Sequence, residues 1–117
     1  MPGFRKKYKI QVDELNKAIF IHIGNFFNEK KSKMLKNLIE KLEKQYFSFK
    51  FIIVLPKKFK FTQKVKNLIM DFIKEQKIIV VSSPIQRAIL KTESIFTGED
   101  IDYICNSEIE ALNKIKI

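Results

Sequence analysis

Thr62 is the hydroxyl with the most chemistry around it. It stands in Lys57-Lys58-Phe59-Lys60-Phe61-Thr62-Gln63-Lys64-Val65-Lys66, a run with five lysines and no acid. An apolar stretch, residues 49–55, precedes the run and an amphipathic stretch follows it, so Thr62 falls where a strand gives way to the start of a helix. A threonine in that position caps the helix, its hydroxyl accepting an N–H of the first turn. Unpaired N–H groups and the positive end of the helix dipole also favour an anion there. A phosphate carried on Thr62 would meet both, with Lys60 and Lys64 placed to pair with it. Capping is the favoured reading, and Thr62 stands as the candidate phosphorylation position.

Other chemistry is sparse. His22 is the single histidine and Cys105 the single cysteine. His22 alternates with Phe20 and Ala18 in a strand-like stretch, which predicts a packed or partly covered imidazole. A His22–Cys105 pair is left open, but no third group is at hand to orient it for nucleophilic catalysis. One histidine, no Cys-x-x-Cys and scattered carboxylates do not make a zinc site. Glu99, Asp100 and Asp102 lack the alternating ligands and glycine of a calcium loop. Gly3, Gly24 and Gly98 are too dispersed for a phosphate-cradling loop. The expectation is a non-enzymatic protein without metal or cofactor.

With 117 residues, 45% of them hydrophobic, the chain suits one domain, 1–117, with a core that needs no metal or disulfide. A lone cysteine predicts a reducing compartment. With no apolar stretch behind Met1-Pro2-Gly3-Phe4-Arg5 and no apolar run of about 18 residues, a cytoplasmic protein without leader or membrane span is expected. The net charge of +10 is uneven: residues 1–91 carry +14 and residues 92–117 carry −4. Such a surface attracts nucleic acid or anionic lipid. However, lysine outnumbers arginine 21 to 2 and isoleucine occurs 19 times, a bias expected from AT-rich codons. Dedicated nucleic-acid surfaces rely on the arginine fork, so this reading ranks third.

Periodicity supplies the elements that must position these residues. Tyr8 to Val12 alternates as a short strand, Asp13 to Asn16 turns, and 18–23 reads as a second strand, which predicts an antiparallel hairpin. Met34, Leu35, Leu38, Ile39 and Leu42 form one stripe of a helix over 29–45, with lysines on its solvated face. Residues 49–55 are apolar almost throughout, the mark of a strand covered on both faces. A helix over 63–76 turns Val65, Leu68, Ile69, Phe72 and Ile73 inward. After a strand at 77–81, Ser83 caps and Pro84 opens a short helix to Lys91 that buries Ile85, Ile89 and Leu90. An acidic loop fills 92–102, and a last strand is expected at 103–105. Ser107-Glu108-Ile109-Glu110 has capping-box spacing ahead of a final helix burying Ile109, Ala111 or Leu112, and Ile115. The order β-β-α-β-α-β-α-β-α predicts an α/β fold: a mixed, mostly parallel sheet of four to five strands and about four helices.

This order resembles the STAS domain, the fold of bacterial anti-sigma-factor antagonists. The likeness spans nearly the whole chain. Ile23-Gly24 resembles that family's strand-ending glycine, Val80-Val81-Ser82-Ser83-Pro84-Ile85-Gln86-Arg87-Ala88-Ile89-Leu90 its strand and short helix, and Asn106 to Leu112 its closing helix. The resemblance implies a protein-interaction module in bacterial signalling. In the family the loop before the second helix commonly reads Asp-Ser-Ser/Thr-Gly, and its first hydroxyl is phosphorylated by a partner kinase. The matching residues here are Phe61, Thr62, Gln63 and Lys64, so the motif is not intact and Thr62 alone keeps a hydroxyl.

In a parallel sheet the loops that follow strands gather at one edge, where ligands and partners bind. That places the expected partner-binding residues at Gly24, Asn25, Lys57, Lys58, Phe59, Lys60, Thr62, Lys64, Ser82 and Ser83, facing another protein of acidic character. The alternative is a lipid or small apolar ligand, since the STAS likeness extends to Sec14-type lipid-binding folds; Phe26, Phe27, Phe47, Phe59, Phe61 and Phe96 are its candidate lining. A homodimer is also open, because strands apolar on both faces need cover.

Overall fold

In the computed structural model the described residues are 9–76, 78–97 and 104–115. The chain opens with an antiparallel hairpin of β1 (Lys9–Asp13) and β2 (Ala18–His22). Its turn is held by Asp13, whose carboxylate accepts from the Asn16 backbone N–H at 3.0 Å and from the Asn16 amide at 2.8 Å. Lys17 closes the turn at φ 53°, a left-handed conformation that carries some strain in a residue other than glycine. Its carbonyl then accepts from Lys50 N at 2.9 Å, tying the hairpin to the next strand.

From β2 onward helix and strand alternate: α1 (Glu29–Gln45), β3 (Lys50–Val54), α2 (Gln63–Gln76), β4 (Ile79–Val81), α3 (Pro84–Thr97), β5 (Ile104–Cys105) and α4 (Glu108–Ile115). The sheet order is β1-β2-β3-β4-β5, with every pair after the hairpin parallel. The expected mixed, mostly parallel α/β sheet with four helices is the architecture observed. Because neighbours in the chain are neighbours in the sheet, right-handed crossovers put α1, α2 and α3 on one face.

The cores divide accordingly. Ile19, Ile21, Phe51, Ile53, Val80 and Ile104 point to the face where Leu35, Ile39, Val65, Ile69, Phe72, Ile73 and Leu90 pack. Ala18, Phe20, Ile52, Ile79, Val81 and Cys105 point the other way, against Ala111, Leu112 and Ile115 of α4. Strand β3 is therefore apolar on both sides, as its sequence predicts. In β1, Ile10 and Val12 pair with Ile21 and Ile19 at the edge and stay partly exposed.

Several inward assignments are corrected. Met34 lies about 100° around the helix from Leu35, off the buried stripe, and is partly exposed; Leu35 and Ile39 are buried as expected, and Ser32 joins them. In α2 the buried set also includes Met70. Ile109 is 73% exposed, because the stripe of α4 runs through Ala111, Leu112 and Ile115, and two residues turn a helix by about 200°. Helix α3 does not stop at Lys91 but continues to Thr97, taking up half of the expected acidic loop; Gly98 to Tyr103 lie outside the described residues.

Ile85, expected in the core, is 76% exposed, and Gln86 is buried in its place at 4%. A buried amide is tolerated when its hydrogen bonds are made. Here Gln86 Oε1 accepts from Ser83 N at 2.9 Å, and Nε2 donates to the carbonyls of Pro56 at 2.7 Å and Lys57 at 3.4 Å. The Gln86 backbone N–H donates to Ser83 Oγ at 3.3 Å, completing a capping box. Replacing Gln86 by Ala strips partners from groups that stay buried and is expected to cost about 2–3 kcal/mol in urea unfolding. Ile85→Ala, at an exposed neighbour, is expected to stay within about 0.5 kcal/mol.

Candidate functional site

Strands β2 to β5 run parallel, so the connection after each one leaves at the same end of the sheet. The first residue or two beyond β2, β3 and β4 continue the ladder onto the next strand. Ile23 N donates to Val54 O at 3.2 Å, Leu55 N to Val81 O at 2.9 Å and Ser82 N to Cys105 O at 2.9 Å. The loops are then tied to each other. Lys60 N donates to Asn25 O at 2.8 Å, joining the loop 55–62 to the loop 23–28. The Gln86 amide holds the other end of loop 55–62 against α3. The three segments expected to share an edge do share it, and they form one hydrogen-bonded surface.

Under that surface runs a chain of rings. Phe61 meets Phe59 edge-on with centroids 5.0 Å apart; Phe59 lies 6.3 Å from Phe27, and Phe27 6.2 Å from Phe72. Such tilted pairs suit the positive edge and negative face of aromatic rings. Phe59 is 6% exposed, so it supports the edge from beneath and its ring is not offered to a partner. Phe47, at the far end of α1, takes no part in the cluster, and the side chain of Phe96 lies outside the described residues.

The hydroxyls sort by role. Thr62 Oγ1 accepts from Val65 N at 3.1 Å while its carbonyl accepts from Lys66 N at 2.9 Å, which makes it the N-cap of α2. Its residue is exposed at the edge. Asn28 caps α1 in the same way, its Oδ1 accepting from Lys31 N at 2.9 Å. Ser107 Oγ accepts from Glu110 N at 3.1 Å, but the Glu110 carboxylate reaches back to Asn106 N, one residue before the expected donor. Ser82 is enclosed, and its Oγ has no hydrogen-bond partner among the described residues, so it faces inward and not toward a partner. Gly24 is exposed, and a Cβ built there would meet nothing within 4 Å, so no close approach demands glycine.

Lys57, Lys58 and Lys60 are all exposed along the edge. Lys64 is exposed too, and its ammonium sits 2.8 Å from the Glu29 carboxylate. That hydrogen bond, with the charge of Lys64 behind it, holds the Glu29 carboxyl below its usual range. Between the starts of α1 and α2 lies a half-open cleft of about 250 Å³ lined by Phe26, Phe27, Asn28, Lys60, Thr62, Lys64 and Val65. A larger hollow of about 640 Å³ runs beside Glu40, Lys41, Lys44 and Phe47 on the outer side of α1. It is open surface between charged side chains of both signs.

His22 and Cys105 occupy one row across the sheet, in register through Val54 and Val81. Three strand spacings separate them, about 14 Å, so they form no pair. His22 Nε2 instead lies 2.8 Å from Gln11 Oε1 on the neighbouring strand. Burial, with Glu110 nearby, pushes the Cys105 thiol above its ordinary pKa, the opposite of what a nucleophile needs. Among the described residues no group of three metal-ligating side chains comes together, and no helix is long and apolar enough to cross a membrane.

The residues that sequence reading missed are Gln86 and Glu29. Ser83-x-x-Gln86 does have the spacing of a capping box, but nothing local shows that the amide also reaches a loop 30 residues away. No protein-family model, curated protein or solved structure matches this chain.

Two substitutions separate the hydroxyls. Thr62→Ala removes a cap and is expected to lower unfolding free energy by about 0.5–2 kcal/mol, with Thr62→Ser restoring most of it. Ser82→Ala removes a buried hydroxyl that bonds to no described residue and is expected to leave stability unchanged or raise it by up to about 1 kcal/mol.

Proposed function

We propose that the chain is a non-enzymatic protein-interaction module of STAS type in bacterial signalling, docking an acidic protein on the edge where strands β2 to β4 end. One observation carries the reading: the loops 23–28 and 55–62 and the start of α3 are bonded into a single surface that displays Lys57, Lys58 and Lys60. A surface whose backbone is already fixed loses little conformational entropy on binding. Its lysines act mainly on encounter, raising the association rate with a negatively charged partner and excluding positively charged ones. The non-enzymatic reading is supported by the separation of His22 from Cys105 and by the inward place of Ser82. Thr62 serves as the cap of α2 and needs no modification for docking.

The test is affinity capture from lysate of the native host at low salt, followed by binding kinetics with the captured protein. A discrete acidic protein is expected, with association slowed at least about tenfold when Lys57, Lys58 and Lys60 are changed together to Glu. Unchanged kinetics in that variant would overturn the reading. So would a captured species that disappears on nuclease treatment, which would mark the surface as a nucleic-acid binder.

A further inference from the structure

The cleft between α1 and α2 has two kinds of wall. Phe27 and Val65 are buried in the core behind it and form a fixed apolar floor. Phe26 borders the same space yet is 64% exposed, an aromatic ring left in water beside an apolar hollow. At the mouth stand Lys60 and Lys64. Glu29 holds the Lys64 ammonium, whereas Lys60 makes no ion pair with a described residue and is fixed through its backbone to Asn25. An apolar space with a cation at its rim matches a ligand that is apolar along its length and anionic at one end.

Volume limits the ligand further. At roughly 30 Å³ for each water-sized group, the space holds about eight such groups, below the usual 300–1,000 Å³ range of drug-sized sites. A membrane phospholipid with two long chains does not fit. We propose that the cleft binds a small amphipathic carboxylate, with its chain against Phe26, Phe27 and Val65 and its head group on Lys60. Glu29 opposes the head group and occupies the second lysine, so it sets an upper bound on affinity. The site stands independently of protein docking, but a bound carboxylate neutralises one of the edge lysines.

Octanoate is the probe. Titrated into the intact ¹⁵N-labelled chain, it is expected to give saturable shifts confined to amides of residues 26–28 and 60–65, with a dissociation constant on the order of 1 mM or below. Phe26→Ala is expected to weaken binding roughly fivefold and Lys60→Gln about threefold, while Glu29→Gln, which frees Lys64, tightens it. Phe47→Ala removes a still more exposed ring about 25 Å away, past the far end of α1, and is expected to change nothing. All four side chains are exposed, so the variants fold. The proposal falls if octanol or octylammonium binds as well as octanoate, if inorganic phosphate alone produces the same shifts, or if no saturable shift appears.

Discussion

Right-handed crossovers between neighbouring parallel strands are the constraint from which the rest of this structure follows. Strands β2 to β5 lie side by side in chain order, so each crossover helix must fall on the same face. The larger core forms between those three helices and the sheet, and α4, which follows the last strand, turns to the opposite face. The same geometry sends every helix start to one end of the sheet. Four N-termini, whose first N–H groups have no carbonyl partner within the helix, therefore collect where the sequence also places Lys57, Lys58, Lys60 and Lys64.

Fixing that end takes specific polar bonds, because loops have no ladder of their own. The Gln86 side chain caps α3 and grips the carbonyls of Pro56 and Lys57. Lys60 N anchors the same loop to Asn25. Between these two anchors Phe59 drops into the core and stacks in the series from Phe61 to Phe72. The loop backbone is thus held from below by packing and from both sides by hydrogen bonds. The lysine ammonium groups project from a frame that is already set.

The fold was legible because its signals are periodic. The stripes of α1 and α2, the doubly apolar β3 and the caps Thr62 and Ser83 each depend on residues a few positions apart, and apart from Met34 each is found where the pattern places it. What escaped the pattern depends on distant neighbours. Ile85 and Ile109 look like core residues by hydropathy, but each sits on the far side of a helix whose buried face was chosen by what it packs against. Gln86 looks like a surface residue until Pro56 O is brought to it. His22 and Cys105 share a row of the sheet, but sequence could not tell that two strands stand between them. The candidate edge was foreseen as a place, while the distinction between its supporting residues, Phe59 and Ser82, and its displayed ones, Lys57 to Lys60, required burial.

The agreement between strand order in the chain and strand order in the sheet bears on how the molecule is made. No strand has to leave a gap for one synthesised later, and each new strand finds its partner already in place. The long-range pairing that slows assembly of many parallel sheets is reduced here to a series of steps between adjacent segments. A nascent chain emerging from its N-terminus can form the hairpin and add strands outward in order. The face carrying Phe20, Ile52 and Val81 is closed by α4, which follows all five strands in the chain, so that surface is shielded only after the sheet itself is complete.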